Sequence, residues 1–208
     1  MSSTGPTPYF NTLMLNRQRL LWTVATRRQL ERWEPYVAAD VLRGYEHRQL
    51  DDADIWLAQI EHHFALIAAR NLLRALDLEP VTRVVIDSTL RSELIEGRDL
   101  HEHWVENLPV FNVTPRQMQP GYTSGRSFAK RHPDRGPYDW LSWSNKTGAR
   151  LMPNVSAPVL HQLLDDVEAE VLAADAALAR FIPPRAPSPW LRRDDEWWPN
   201  PADVAGVR

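Results

Sequence analysis

Cysteine is absent from the 208 residues, which excludes disulfides, thiolate metal sites and cysteine nucleophiles. No apolar run approaches the roughly 20 residues needed to cross a bilayer. The N-terminus, MSSTGPTPYF, lacks the basic-then-apolar order of a secretory signal, so a cytoplasmic protein without a membrane partner is expected. No GxxxxGK loop, GxSxG elbow or HExxH motif occurs, which disfavours nucleotide hydrolysis, serine-hydrolase chemistry and the common zinc-protease arrangement. A strong charge imbalance is missing too. At a net charge of -3 the chain has no general attraction for nucleic acid or acidic membranes, and any such contact needs a local basic patch.

What is present is ordinary for a globular protein: 43% hydrophobic and 25% charged residues, enough for one domain with a sizeable core. The apolar residues Leu13, Leu20, Leu21, Val24 and Leu30 predict an amphipathic helix to about Trp33, with arginines on its wet side. Pro35 is expected to end or kink it, with a short helical piece over 36–44 and a linker near Arg48. Asp51, Asp52 and Asp54 then mark a helix start, since carboxylates favour the positive end of the helix dipole. Leu57, Ile60, Phe64 and Ile67 follow at helical spacing and predict the buried stripe of a helix reaching about Leu76. Another helix is expected over 82–108, between Pro80 and Pro109, with Leu90, Leu94, Val105 and Leu108 on one face.

Residues 109–155 have no sustained helical period and are broken by Pro, Gly, Ser and Asn. Within this polar excursion, DWLSWSN and ARLMPNV flank Lys146–Gly148 in the pattern of a β-hairpin. The excursion is also basic: between Thr114 and Arg150 seven cations face two carboxylates. Arg116, Arg126, Lys130, Arg131 and Arg135 are interleaved with Tyr122, Phe128, Tyr138, Trp140 and Trp143. Aromatic rings stack on unpaired bases and cations meet phosphates, so this is the candidate RNA contact, or else a solvated loop with some aromatics returning to the core. Ser156 as N-cap and Pro158 in the first turn predict a last helix to about Phe181. The end, 183–208, is rich in Pro and Trp and reads as a largely disordered tail whose Trp190, Trp197 and Trp198 dock on the bundle or engage a protein partner. The expected architecture is all-α, a bundle of four to five helices in a single domain over 8–181, interrupted by the excursion.

One stretch concentrates chemistry: GRDLHEHW, residues 97–104. On a wheel with Leu90 at zero and about 100 degrees per residue, Gly97 and His101 fall on the apolar face. Arg98 lies at the boundary, while Asp99 and His103 lie on the opposite side. A purely structural reading makes Asp99 with His103, and Arg98 with Glu102, two i, i+4 pairs worth a few tenths of a kcal/mol each. Gly97 would then serve close approach of another helix.

The functional reading follows from a resemblance. An arginine, a polar residue and a histidine five positions after the arginine, Arg98, Asp99 and His103, near the end of a long helix, followed by Trp104 and Glu106, resemble the R-x4-6-H motif of the HEPN superfamily. The resemblance covers about residues 50–108 and, more loosely, 156–181. It implies a helical, homodimeric, metal-independent endoribonuclease without a cofactor, of the kind found in toxin and antiviral defence systems. By the same resemblance His103 would be the general acid or base and Arg98 would hold the scissile phosphate. Asp99 would orient His103, with Glu102 or Asn107 tuning the site, and two copies of the helix would line one cleft. This chain departs from the simplest pattern in placing His101 where an apolar residue is more usual, which leaves the working histidine open between His101 and His103. Two alternatives stand beside it: a non-catalytic HEPN-like scaffold, and a DinB-like metal-binding bundle using His62 or His63 with His47, His101 or His103. Adjacent histidines on a helix point about 100 degrees apart, which argues against a metal shared by His62 and His63.

Overall fold

The computed structural model describes residues 8–45, 51–78, 83–102, 148–152, 154–194 and 196–203. Its longest element is α1 (Pro8–Tyr45), against which α2 (Asp52–Leu76) and α4 (Ala157–Ala174) both pack, while α3 (Ser88–Glu102) packs on α2. Two small antiparallel strand pairs complete the helical bundle: β1 (Arg150–Met152) with β2 (Val155–Ser156), and β3 (Trp190–Arg193) with β4 (Glu196–Pro199). Among the described residues no helix is long and apolar enough to cross a membrane.

Pro35 does not divide α1, contrary to the expectation from sequence. Proline withholds the N–H that the Glu31 carbonyl would accept, a local loss of about 3 kcal/mol. Leu30 and Trp33 before it, and Val37 and Ala38 after it, are all buried, so core packing on both sides carries the helix through. The arginines of α1 are not all on a wet side either. Arg17 and Arg32 are exposed, but Arg19 and Arg27 are buried with partners far along the chain. Arg19 donates to the Ala75 and Leu78 carbonyls at 3.3 and 3.1 Å, satisfying the C-terminal end of α2, and lies 3.8 Å from Glu170. Arg27 pairs with Asp165 at 2.9 Å and with Glu168, both on α4. Buried charge persists only where it is paired in this way.

Asp51 caps α2 as the acidic cluster predicts: its side chain accepts from the Asp54 N–H at 2.8 Å. The buried face of α2 is not the predicted stripe, however. Leu57, Ile60 and Phe64 are 43%, 45% and 49% exposed, Trp56 67%, and Ile67 is half-buried. The face turned to the core carries Ala58, His62, Ala65, Leu66, Ala69, Leu72, Leu73 and Leu76. Four of these eight are Leu, three are Ala and one is His, so the face is dominated by small and medium side chains that suit close helix approach. Hydrophobic size alone selects the other side.

The helix expected from residue 82 begins at Ser88. Residues 84–87 have no regular secondary structure, and the Arg83 and Val84 N–H groups donate to Glu170 at 2.8 and 3.1 Å. Asp87 then accepts from the Thr89 and Leu90 N–H groups at 2.8 and 3.1 Å, which starts the helix. Leu90, Leu94 and Gly97 form its buried face, as the wheel predicts. A Cβ built on Gly97 would overlap the Met152 thioether and come within 3.0 Å of Leu66, so glycine here serves the approach of the hairpin and of α2. Residues 103–108 of the expected helix lie outside the described residues.

ARLM does form a hairpin arm, but its described partner is Val155–Ser156 on its C-terminal side; the DWLSWSN arm lies outside the described residues. Buried Glu93 of α3 grips the turn between the strands, accepting from the Asn154 backbone N–H at 2.7 Å and its Nδ2 at 2.6 Å. Ser156 occupies the N-cap of α4 with Pro158 in the first turn, as predicted. The helix ends at Ala174, earlier than expected. Asp175 breaks it, and a 3-10 turn over Ala176–Phe181 follows.

The tail expected to be largely disordered instead carries the β3–β4 pair, in register Trp190 with Pro199 and Arg193 with Glu196. Asp194 takes a left-handed φ of 53° in the two-residue connection, a conformation short hairpin turns need and Asp tolerates. Trp190 is buried in the main core and β4 packs on α1. The desolvation of these tryptophans supplies the driving force that composition alone does not register.

Candidate functional site

The residues singled out from sequence cluster at the end of α3. Arg98 follows the buried Gly97 and is half-buried. Asp99, His101 and Glu102 continue the helix, which is described as far as Glu102. The side chains of Asp99, His101 and Glu102 lie outside the described residues, as do His103, Asn107, Arg116, Arg126, Lys130, Arg131 and Arg135 altogether. The described geometry thus anchors the arginine of the motif on a fixed helix, beside the packed contact of Gly97, Met152 and Leu66.

His62, a residue of the metal-binding alternative, is fully buried in the α1–α2 interface, its ring 5.3 Å from that of Trp33. Its Nε2 is 2.7 Å from the Leu151 carbonyl. A carbonyl only accepts, so Nε2 carries the proton. Burial pushes the imidazole down to about 4, against the hydrogen bond to Leu151, which favours the charged form. His62 is therefore neutral at pH 7 and ties α2 to β1. His63 is half-buried, with its ring 5.7 Å from that of Phe64. Among the described residues no three His, Asp or Glu side chains assemble into a metal site; His47 and His103, and the side chain of His101, lie outside them.

A second polar arrangement escapes sequence reading. An open cleft of about 450 Å³ lies between α1, α4 and the C-terminal segment, with Glu34, His161, Asp165, Arg185, Trp190 and Trp197 in its lining. Glu34 is 3% exposed, and its carboxylate accepts from His161 Nε2 at 2.6 Å. Arg185 bridges Asp165 and Glu168 at 2.8 and 3.3 Å, and the hydrogen bond to Asp165 is the main cause raising its already high pKa. The Ala186 N–H donates to Glu31 at 3.1 Å. A buried carboxylate fixing one imidazole nitrogen leaves the other for proton exchange or for a ligand. Within the cleft the cations and carboxylates are largely paired with one another, so the arrangement described is foremost a set of ties between α1, α4 and the tail. Nothing local in the sequence signals it, because Glu34 and His161 are 127 residues apart.

No family model, curated protein sequence or solved structure matches the chain. The functional argument rests on the residues themselves.

Proposed function

We propose that the chain is a HEPN-type endoribonuclease that works without a metal ion, in the setting of a toxin or antiviral defence system. The observation that carries this reading is the position of the motif: Arg98 sits on a bundle helix directly after the buried Gly97, and His103 follows it five positions later in the sequence. In the proposed reaction a base, His103, takes the proton from the RNA 2′-hydroxyl, whose oxygen attacks the adjacent phosphorus. The bond to the 5′ oxygen breaks and that oxygen receives a proton, leaving a 2′,3′-cyclic phosphate and a 5′-hydroxyl. Histidine suits the task because it titrates near neutrality. Arginine suits the phosphate because its planar fork matches two oxygens and offsets the charge that develops on them. Asp99 orients His103, Glu102 or Asn107 tunes it, and the basic aromatic segment around Arg116, Arg126, Lys130, Arg131 and Arg135 holds the RNA strand. Two chains contribute to one cleft.

The test is RNA cleavage in EDTA by the native protein, Arg98→Ala and His103→Ala. Loss of cleavage in both variants, with unchanged far-UV circular dichroism, is the expected result; cleavage that persists in both removes the assigned site. A non-catalytic interaction protein is the second reading, favoured by the apolar side chains that α2 leaves exposed. It predicts no cleavage of tRNA, mRNA or single-stranded RNA by any of the three proteins.

A further inference from the structure

The cleft between α1, α4 and the C-terminal segment is only partly used by the ties that cross it. Its volume of about 450 Å³ lies within the range of small-molecule pockets. Half-buried Trp197 and Pro158, with Pro187 and Pro189, give it an apolar wall, and an aromatic face of this kind suits a flat ring. Charge narrows the kind of ring. Arg27, Arg185 and Arg192 line the cleft together with Glu31, Glu34 and Asp165, three cations against three carboxylates. Arg27 and Arg185 are each paired with both Asp165 and Glu168. A ligand with a net charge meets no unopposed partner here, and leaving water costs it more than the cleft returns. A neutral molecule that exchanges hydrogen bonds through one edge escapes that cost.

The polar groups left over define the edge. His161 Nε2 donates to Glu34, and among the described residues its Nδ1 has no partner and is not shut away from water. In a neutral imidazole with the proton on Nε2, Nδ1 is an acceptor. Arg185 reaches both of its carboxylates through Nη2, which leaves the Nε and Nη1 N–H groups as donors on a side chain that is 51% exposed. Asp165, which holds Arg185, lies one turn of α4 beyond His161, so acceptor and donor stand side by side on one wall. Deeper in the lining, Trp190 is 4% exposed and its Nε1–H has no acceptor; the Arg27 Nε–H has none either. Unpaired buried N–H groups are rare and costly. These two mark the floor as short of oxygen acceptors, the complement of a ligand that carries carbonyls.

We propose that this cleft binds a neutral planar heterocycle through a ring N–H that lies beside a carbonyl, the edge that uracil and guanine carry and adenine and cytosine lack. The ring N–H donates to His161 Nδ1, Arg185 donates to the carbonyl, and the ring lies against Trp197. Glu34 is a positioning residue: by holding the Nε2 proton it fixes the tautomer in which Nδ1 accepts. The site needs neither Arg98 nor His103. A free nucleoside and an unpaired base of an RNA strand both offer this edge.

The test is isothermal titration calorimetry of the full chain with uridine, 3-methyluridine, cytidine and adenosine. Uridine is expected to bind, and 3-methyluridine to bind about 10-fold more weakly or less, because its methyl group replaces the donor that His161 accepts. Cytidine and adenosine should be weaker by a similar factor. His161→Phe keeps a flat ring, removes the acceptor, and should abolish the difference between the two uridines, with thermal melting by circular dichroism reporting whether the fold survives. Where it does not, the methylated ligand on the unaltered chain decides alone. Equal binding of uridine and 3-methyluridine overturns the proposal. So does a preference for uridine that a folded His161→Phe retains, or no binding of any of the four up to millimolar concentration. Competition separates the two sources: displacement of bound uridine by oligouridylate extends the site to RNA bases, and no displacement restricts it to free nucleosides. Nucleosides contain no phosphodiester, so their binding is measured apart from cleavage and either reading can fail without the other.

Discussion

The two faces of α2 invert the usual relation between size and burial. Inward it shows His62, Leu66 and a row of alanines; outward it shows a tryptophan, a phenylalanine, a leucine and an isoleucine. The inner face stabilises the bundle by closeness, since small side chains let α1 approach and every neighbour is then within van der Waals contact. The outer face holds larger apolar side chains, yet among the described residues they stay substantially exposed. Burial in a helix pair is decided by how well two surfaces fit, and the more hydrophobic face is not automatically the inner one.

The largest expected effect tests that contrast directly. Leu66→Ala should lower stability by about 2–5 kcal/mol in urea denaturation, whereas Phe64→Ala, two residues earlier, should change the stability of the monomer by less than about 1 kcal/mol. Equal losses would break the comparison. His62 comes next. Its unfolded form takes a proton near 6.5 and its folded form only near 4. Between these values the unfolded chain binds more protons, so stability falls as pH drops through this window, by about 3 kcal/mol in all. Above pH 6.5 the contribution is complete. His62→Gln should show a shallower dependence over that range, and an unchanged slope would mean that the inner face admits water.

Overpacking the inner face gives a third measure. Ala65→Leu should destabilise by about 1–3 kcal/mol by forcing α1 and α2 apart; a neutral result would mean that the helix contact is looser than the burial of Ala65 indicates. The smallest effect belongs to the outer face, where Ile60→Ser should alter stability by no more than about 0.5 kcal/mol in urea denaturation.

Local signals in the sequence are honoured where their causes are local. The Asp51 cap, the Ser156 and Pro158 start of α4, and the face of Leu90, Leu94 and Gly97 each depend on neighbours within a turn or two. What fails depends on distant partners. Arg19, Arg27, Glu34 and Glu93 are strongly polar and buried because groups 56 to 141 residues away satisfy them. Pro35 stays in a helix because the core holds both sides of it, and the tail is ordered because Trp190 finds that same core. The alanine face of α2 is invisible to a periodicity weighted by size. Of the candidate site, the helix and the half-buried position of Arg98 are legible, while His103 lies outside the described residues.

The reach of α1 has a consequence for synthesis. Its polar side is completed by Glu168, Asp165, His161 and the Ala186 backbone, between 127 and 155 residues later in the chain. At ribosomal rates of ~5–20 residues per second, α1 is synthesised roughly 6–30 s before those partners exist. During that interval Arg27 and Glu34 lack these partners, while α1 and α2 can already meet through their alanine and leucine seam, Trp33 against His62, and Arg19 on the end of α2. Of the described helices α1 is therefore the first to emerge and among the last to be finished, and a nascent chain stalled before residue 160 would expose it to chaperones.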